Sequence, residues 1–210
     1  MKKLFTAALM FAAITIQAQT IELPAPDMER PTHSVMQAFK HRKSVREYNS
    51  QMLSAQDLSD LLWAAGGVNR PNGNLTAPTA MNRQEIRIYV FTAEGVCLYH
   101  PKSHTLEKVI DGDHRKLIAG PQAFAQEAPV ALLLVADMDK FGSTNDHARW
   151  MVGADVGIVT QNINLFCSAA GLVTVTRGMM DQRGLQQLLG LSESQIPVIN
   201  NPVGYPKDAE

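Results

Sequence analysis

Two things are scarce in this 210-residue chain: cysteine and net charge. Cys97 and Cys167 are the only cysteines, set in different apolar segments. They allow one disulfide in an oxidising compartment or two buried free thiols. A formal charge of −1 removes the electrostatic case for a nucleic-acid partner, which needs a strongly basic face. His33, His41, His100, His104, His114 and His147 are scattered without the spacing of metal ligands. No Gly-rich dinucleotide fingerprint and no internal repeat occurs. The apolar run Leu4–Ile16 falls short of the roughly 20 residues that a spanning helix requires.

That short run has a different use. Met1-Lys2-Lys3 precedes it and Gln17-Ala18-Gln19 follows it, the layout of a secretory signal peptide over residues 1–19. Cleavage after Ala18 or Gln19 leaves an exported, periplasmic or secreted protein, with no stable membrane insertion after the cut. Apolar content of 45% and charged content of 19% then fit one well-cored domain, residues 32–210, behind an extended Pro-rich arm, residues 20–31.

Within the domain, Thr32 or Ser34 caps a helix with Val35, Ala38 and Phe39 on one face. Ser54 starts a second helix, striped by Leu58, Leu61, Leu62 and Ala65 and closed by Gly66-Gly67. Asn69–Asn82 is a long loop of the kind that carries function. Strands are expected at Glu85–Thr92 and Val96–His100, joined by Ala93-Glu94-Gly95. His104–Asp113 is ambiguous, and Asp113–Ala119 is a short helix stopped by Gly120-Pro121. Val130–Ala136 is apolar throughout, the signature of a central buried strand. Asp146–Ala170 is the longest helix, rich in small residues and suited to a dimer core. Leu172–Thr176 and Ile196–Val203 are further strands around a Gln182–Leu189 helix. Helices and strands do not alternate strictly, so the class is α+β.

The first helix delivers His41-Arg-Lys-Ser-Val-Arg-Glu-Tyr48, which crowds Arg42, Lys43 and Arg46 around the Ser44 hydroxyl. Such a set suits a phosphate ester, because guanidinium forks two N–H donors onto its oxygens. Three more segments follow in order: Ala77-Pro-Thr-Ala-Met-Asn-Arg-Gln84, Thr174-Val-Thr-Arg-Gly178 and Pro202-Val-Gly-Tyr-Pro206. The ordered set, over roughly Val35 to Lys207, resembles the FMN-dependent nitroreductase family, in particular its azoline-dehydrogenase-like branch.

The resemblance implies a three-layer fold: a central, mainly antiparallel sheet flanked by helices, with a long central dimerisation helix. It implies a homodimer with FMN at the subunit interface and NAD(P)H as a transient electron donor. Arg42, Lys43 and Ser44 match positions holding the FMN phosphate and ribityl chain, and Arg46 a cation near the pyrimidine edge. Pro78, Thr79, Ala80, Asn82 and Gln84 match a loop packing on the flavin from the neighbouring subunit. Val175, Thr176, Arg177 and Gly178 match a strip along the flavin face, with an N–H near Arg177 or Gly178 reaching N5. Lys207 is placed to close the phosphate site. No side chain is assigned as acid or base.

Alternatives stay open for several of these. Asn82 and Gln84 also suit loop backbone groups, and Arg177 a surface strand end. Trp63 and Trp150 read as core or interface anchors, Met179-Met180 as packing, and Asp155 as a partner of Arg149 or a dimer-seam residue. Export and a cytoplasmic nicotinamide donor pull against each other. The resemblance implies a small-molecule substrate (nitroaromatic, quinone or azoline-like), and this tension leaves electron flow open to either direction. A non-catalytic flavin-binding or storage module on the same fold is the alternative.

Overall fold

The computed structural model describes residues 19–207, so the expected signal peptide lies outside the described residues except for Gln19. In chain order the elements are β1 (Gln19–Glu22), α1 (Val35–His41), α2 (Ala55–Gly66), β2 (Ile86–Phe91), β3 (Gly95–His100) and β4 (Thr105–Asp111). There follow α3 (Arg115–Ala119), α4 (Phe124–Glu127), β5 (Val130–Asp137), α5 (Met138–Phe141) and α6 (Asp146–Ala170). The chain ends with β6 (Val173–Thr174), α7 (Gln182–Leu189) and β7 (Gln195–Gly204).

Caps set the helix limits. Ser54 Oγ accepts the Asp57 N–H at 3.0 Å to open α2. Asn145 Oδ1 accepts the Ala148 N–H at 2.8 Å to open α6, and Gly171, at φ 75°, closes it in the left-handed conformation that glycine adopts without strain.

Every pairing in the seven-stranded sheet is antiparallel, in the order β1-β4-β3-β2-β5-β7-β6. All eight residues of β5 are buried, because both sheet faces are covered. Alternation divides the core: Ile88, Val90, Leu132 and Leu134 pack with α2 and α6, while Tyr89, Phe91, Leu133 and Val135 meet Ile118 and Leu185 from α3 and α7. The result is helix on sheet on helix, the expected three-layer α+β fold. Among the described residues, no helix is long and apolar enough to cross a membrane.

Several local expectations change. The ambiguous stretch after His104 is β4, because the N-terminal arm supplies β1 on one side of it and β3 flanks the other. The strand expected at Leu172–Thr176 contracts to two residues. The short helices α4 and α5 were not legible. On α1 only Ala38 is buried; Val35 and Phe39 are 61% and 53% exposed. Cys97 and Cys167 are both free.

Beyond its pairing with β4 and the packing of Leu23 on the core, the arm is fastened by charge. Arg30 forks onto Asp60 and Asp57, and the Asp27 N–H donates to Asp60 Oδ1 at 2.8 Å. The Tyr205 hydroxyl donates to Asp57 and accepts the Ser54 N–H at 3.1 Å, tying the C-terminal segment to the same carboxylate. Burial alone raises the Asp57 pKa; hydrogen bonds from Tyr205, Ser54 and Arg30 outweigh it and hold the group below its ordinary 3.8. That stabilisation is present above pH 3.8 and is lost as pH falls through the depressed folded-state value. Tyr205→Phe is expected to cost about 1–2 kcal/mol at neutral pH and to raise the midpoint of acid unfolding. Urea unfolding across a pH series checks both.

Candidate active site

The basic segment begins where α1 stops. Ser168 Oγ donates to Ala38 O at 2.8 Å and the His33 N–H to Ala169 O at 3.0 Å, pinning α1 to the C-terminal end of α6. Residues 42–49 then run non-helically beside the last strands, with the Val45 N–H on Thr174 O and the Asn49 N–H on Tyr205 O, both 3.0 Å. A cavity of about 180 Å³ opens there, lined by Arg42, Lys43, Val45, Asn164, Ser168 and Thr174 among others. Arg42, Lys43 and Ser44 are exposed. Neither cation forms an ion pair among the described residues, so their charge is available to a ligand.

Arg46 faces elsewhere. Its guanidinium carbon lies 6.0 Å from the Phe124 ring centroid, and that of Arg177 lies 5.3 Å from the same centroid. Arg177 is not a surface charge: it is 5% exposed. Its guanidinium donates to Ala119 O at 2.8 Å, Asn200 Oδ1 at 2.8 Å, Gln122 Oε1 at 3.0 Å and Ile118 O at 3.1 Å. All these acceptors are neutral. Burial pushes the Arg177 pKa down, Tyr48 opposes this, and Arg46 adds to it. Two guanidinium groups thus share one aromatic ring with no carboxylate bonded to either, a local positive field.

The strip at 175–178 is built from backbone. Val175 is buried, so its side chain faces the core, and Thr176 Oγ1 is held by Asn164 Nδ2 at 3.0 Å and Asn201 Nδ2 at 3.3 Å. The Arg177 N–H donates to Asn200 O at 2.9 Å and is therefore spoken for. The Gly178 N–H has no partner among the described residues, and a Cβ added at Gly178 would meet nothing within 4 Å. Of the two donors expected to reach a ligand, Gly178 is the one left free. Lys207 is exposed but does not line the cavity with Arg42.

The loop Pro78–Gln84 lies elsewhere on the same helix. The Ala80 N–H donates to Asp155 Oδ2 at 2.8 Å, whereas Arg42, Lys43 and Thr174 gather around Asn164–Gly171. Asp155 to Cys167 spans about 18 Å along α6 at 1.5 Å per residue. One chain therefore does not bring the two sets together. The loop is strained: Met81, Asn82 and Gln84 have φ of 55°, 54° and 50° without being glycine, about 1–3 kcal/mol each. Side-chain bonds hold it, Gln84 Nε2 to Gly73 O at 2.9 Å and Asn82 Nδ2 to Asn74 Oδ1 at 3.1 Å. Of the two amides only Gln84 serves a loop backbone group, the Gly73 carbonyl, while Asn82 bonds to the side chains of Asn74 and Gln84. Asp155 does not pair with Arg149, which donates to Thr144 O. Phe124 and Glu85 were missed. Asp155 carried a signal, an acid in register with Val152, Val159 and Ile163 on the buried stripe of α6.

The structure is thus an antiparallel three-layer α+β domain with a cation-lined cavity at the end of its long helix. The model of the nitroreductase family matches residues 39–205. A Methanocaldococcus jannaschii protein named as a candidate nitroreductase is 32% identical over 195 residues, covering 88% of this chain and 96% of its own. A candidate nitroreductase from Ralstonia eutropha superposes with a TM-score of 0.84 at 32% identity, covering 97% of each chain. Nitroreductase A of Vibrio parahaemolyticus shares the fold with a TM-score of 0.66 at 20% identity, over 84% of this chain and 70% of its own. The chain belongs to the nitroreductase family of oxidoreductases.

Arg177→Lys is expected to destabilise the protein by roughly 2–4 kcal/mol, since an ammonium cannot replace four donations from one planar fork and leaves carbonyls unpaired. Equilibrium urea unfolding reads this directly.

Proposed function

We propose that the protein is an exported, homodimeric FMN-dependent oxidoreductase whose flavin lies between subunits. The observation that carries this reading is the separation of the two half-sites along α6. Along this stretch and the turns before it α6 presents an exposed face: Trp150 at 82%, Gly153, Ala154, Gly157, Ile158 at 37% and Gln161. Added Cβ atoms at Gly153 and Gly157 meet nothing within 4 Å, so another helix can approach closely. Met36 and Phe39 on α1 are also exposed, at 72% and 53%. Exposed apolar side chains on these two helices support the reading of this face as an interface. A two-fold axis across α6 brings the loop of one protomer to the cavity of its partner.

The residues present fit FMN. Arg42 and Lys43 supply unpaired cations for a phosphate, with Ser44 beside them and Lys207 as a further cation from the C-terminal segment. Gly178 offers a free N–H and a surface with no Cβ to obstruct a flat ring. Arg46, with Arg177 behind Phe124, provides positive potential for an electron-rich pyrimidine edge. Pro78, Thr79 and Ala80 form an apolar wall from the neighbouring subunit. FMN would supply the hydride-accepting and hydride-donating chemistry of a ping-pong cycle, and the chain positions it and sets its electrostatics. NAD(P)H is proposed as a transient donor, with a nitroaromatic, quinone or azoline-like small molecule as the other substrate. The leader at residues 1–19 supports export and leaves room for the oxidative direction.

The purified mature protein is expected to show flavin absorbance that bleaches on anaerobic addition of NADH or NADPH. Bands that persist point to a non-nicotinamide donor or to the storage alternative; no bands after added FMN defeat the cofactor assignment. Arg42→Ala or Lys43→Ala is expected to weaken FMN binding about tenfold, the loss of one charge-assisted contact worth roughly 1.4 kcal/mol. Trp150→Asp is expected to yield monomers in analytical ultracentrifugation that lose FMN.

A further inference from the structure

Behind the strained loop sits a group that no role above uses. Glu85 is fully buried at 0% exposure, and neither carboxyl oxygen has a hydrogen-bond partner among the described residues. Its neighbour from α6 is Asp155, 4% exposed, whose Oδ2 accepts the Ala80 N–H. Two buried carboxyl groups set beside each other hold only acceptors when both are ionised, and burial leaves their repulsion poorly screened. A proton on one of them turns the contact into a short, strong O–H···O bond.

We propose that Glu85 and Asp155 share one proton, and that this proton makes Glu85 a positioning residue that keeps the loop Thr79–Gln84 in its binding shape. The consequence for the cofactor rests on the flavin reading above; the proton and the loop do not.

The surroundings favour the neutral form of Glu85. Lys140 on α5 opposes this, but that ammonium is engaged by Gln84 O. Arg87 on β2 is paired with Asp137 at the end of β5, at 2.8 Å. Lys102 in the β3–β4 turn adds positive charge near Lys140. Burial first, and then the neighbouring Asp155 carboxyl, raise the Glu85 pKa from 4.5 to about 7, with its backbone and Lys140 opposing. The sign follows. The proton's contribution is complete below pH 4.5 and is lost as pH rises through about 7. The backbone transmits it: Glu85 O accepts the Asp137 N–H at 3.0 Å, Gln84 immediately before it has φ 50°, and Asp155 holds Ala80 at the loop's other end. Ionisation places a second charge against the carboxylate that holds Ala80, and the strained residues between then relax.

The test compares wild type with Glu85→Gln, a neutral side chain of the same shape that can donate to Asp155 in place of the shared proton. Amide hydrogen exchange of Ala80–Gln84 is followed in the FMN-free protein from pH 5.5 to 8.5, with FMN affinity measured in parallel. Wild-type loop amides are expected to lose protection above pH 7 beyond the intrinsic rise in exchange, while Glu85→Gln keeps low-pH protection throughout. FMN affinity is expected to fall up to about tenfold between pH 6 and 8 in wild type, following the protonated fraction, and to stay flat in Glu85→Gln. Equal, unchanging loop protection in both proteins overturns the proposal. Should Glu85→Gln not fold, the wild-type infrared carboxyl band decides: a protonated-acid band titrating near pH 7 and absent from Asp155→Asn supports it, and no such band overturns it. A protein that binds no FMN defeats the flavin reading alone, because the exchange result stands without cofactor.

Discussion

Burial of one face of α6 against the sheet is the constraint on which the rest depends. Val152, Val156, Val159 and Ile163 are each at most 3% exposed and pack with Ile88, Val90, Leu132 and Leu134. Fixing that face fixes the rotation of a 25-residue rod. Its polar positions are thereby aimed: Asp155 at the loop, Asn164 at Thr176, Ser168 at the end of α1. The opposite face is exposed. Two sets of residues at separate stations of one rigid helix can be held to geometry by the core alone, without contact between them.

Charge is used in two ways. Arg42 and Lys43 are exposed and unpaired, ready to neutralise an incoming anion. Arg177 is buried and satisfied only by neutral carbonyl oxygens, so its charge is a fixed part of the fold. A buried cation without an acid costs stability, and such departures from local optimality cluster at functional sites. The strained loop and the buried Glu85 and Asp155 behind it show the same departure at the other station of α6.

Much of this was legible from the chain. The bounds of α6, set by the stripe and by Gly171, and the buried run of β5 follow from periodicity and capping. The ordered motifs point to the family. What stayed hidden depends on tertiary neighbours. His104–Asp113 has no decisive period, and becomes a strand because an arm 83 to 89 residues earlier pairs with it on one side and β3 on the other. Arg177 looked exposed because a lone arginine after a strand carries no mark of the α3 carbonyls that bury it. Glu85 reads as the polar start of an alternating strand, and its burial appears only when Asp155 is set beside it.

The central claim is that the two stations of α6 in different subunits complete one flavin site. Two tagged chains, one carrying Arg42→Ala with Lys43→Ala and the other Asp155→Ala, can be co-expressed and the mixed dimer isolated by sequential tags. Its bound flavin is then counted by absorbance. A site shared between subunits leaves one of two sites intact, so the mixed dimer should hold one flavin while both parent dimers hold far less. A site contained in a single chain leaves none intact, and a mixed dimer as empty as its parents would contradict the account.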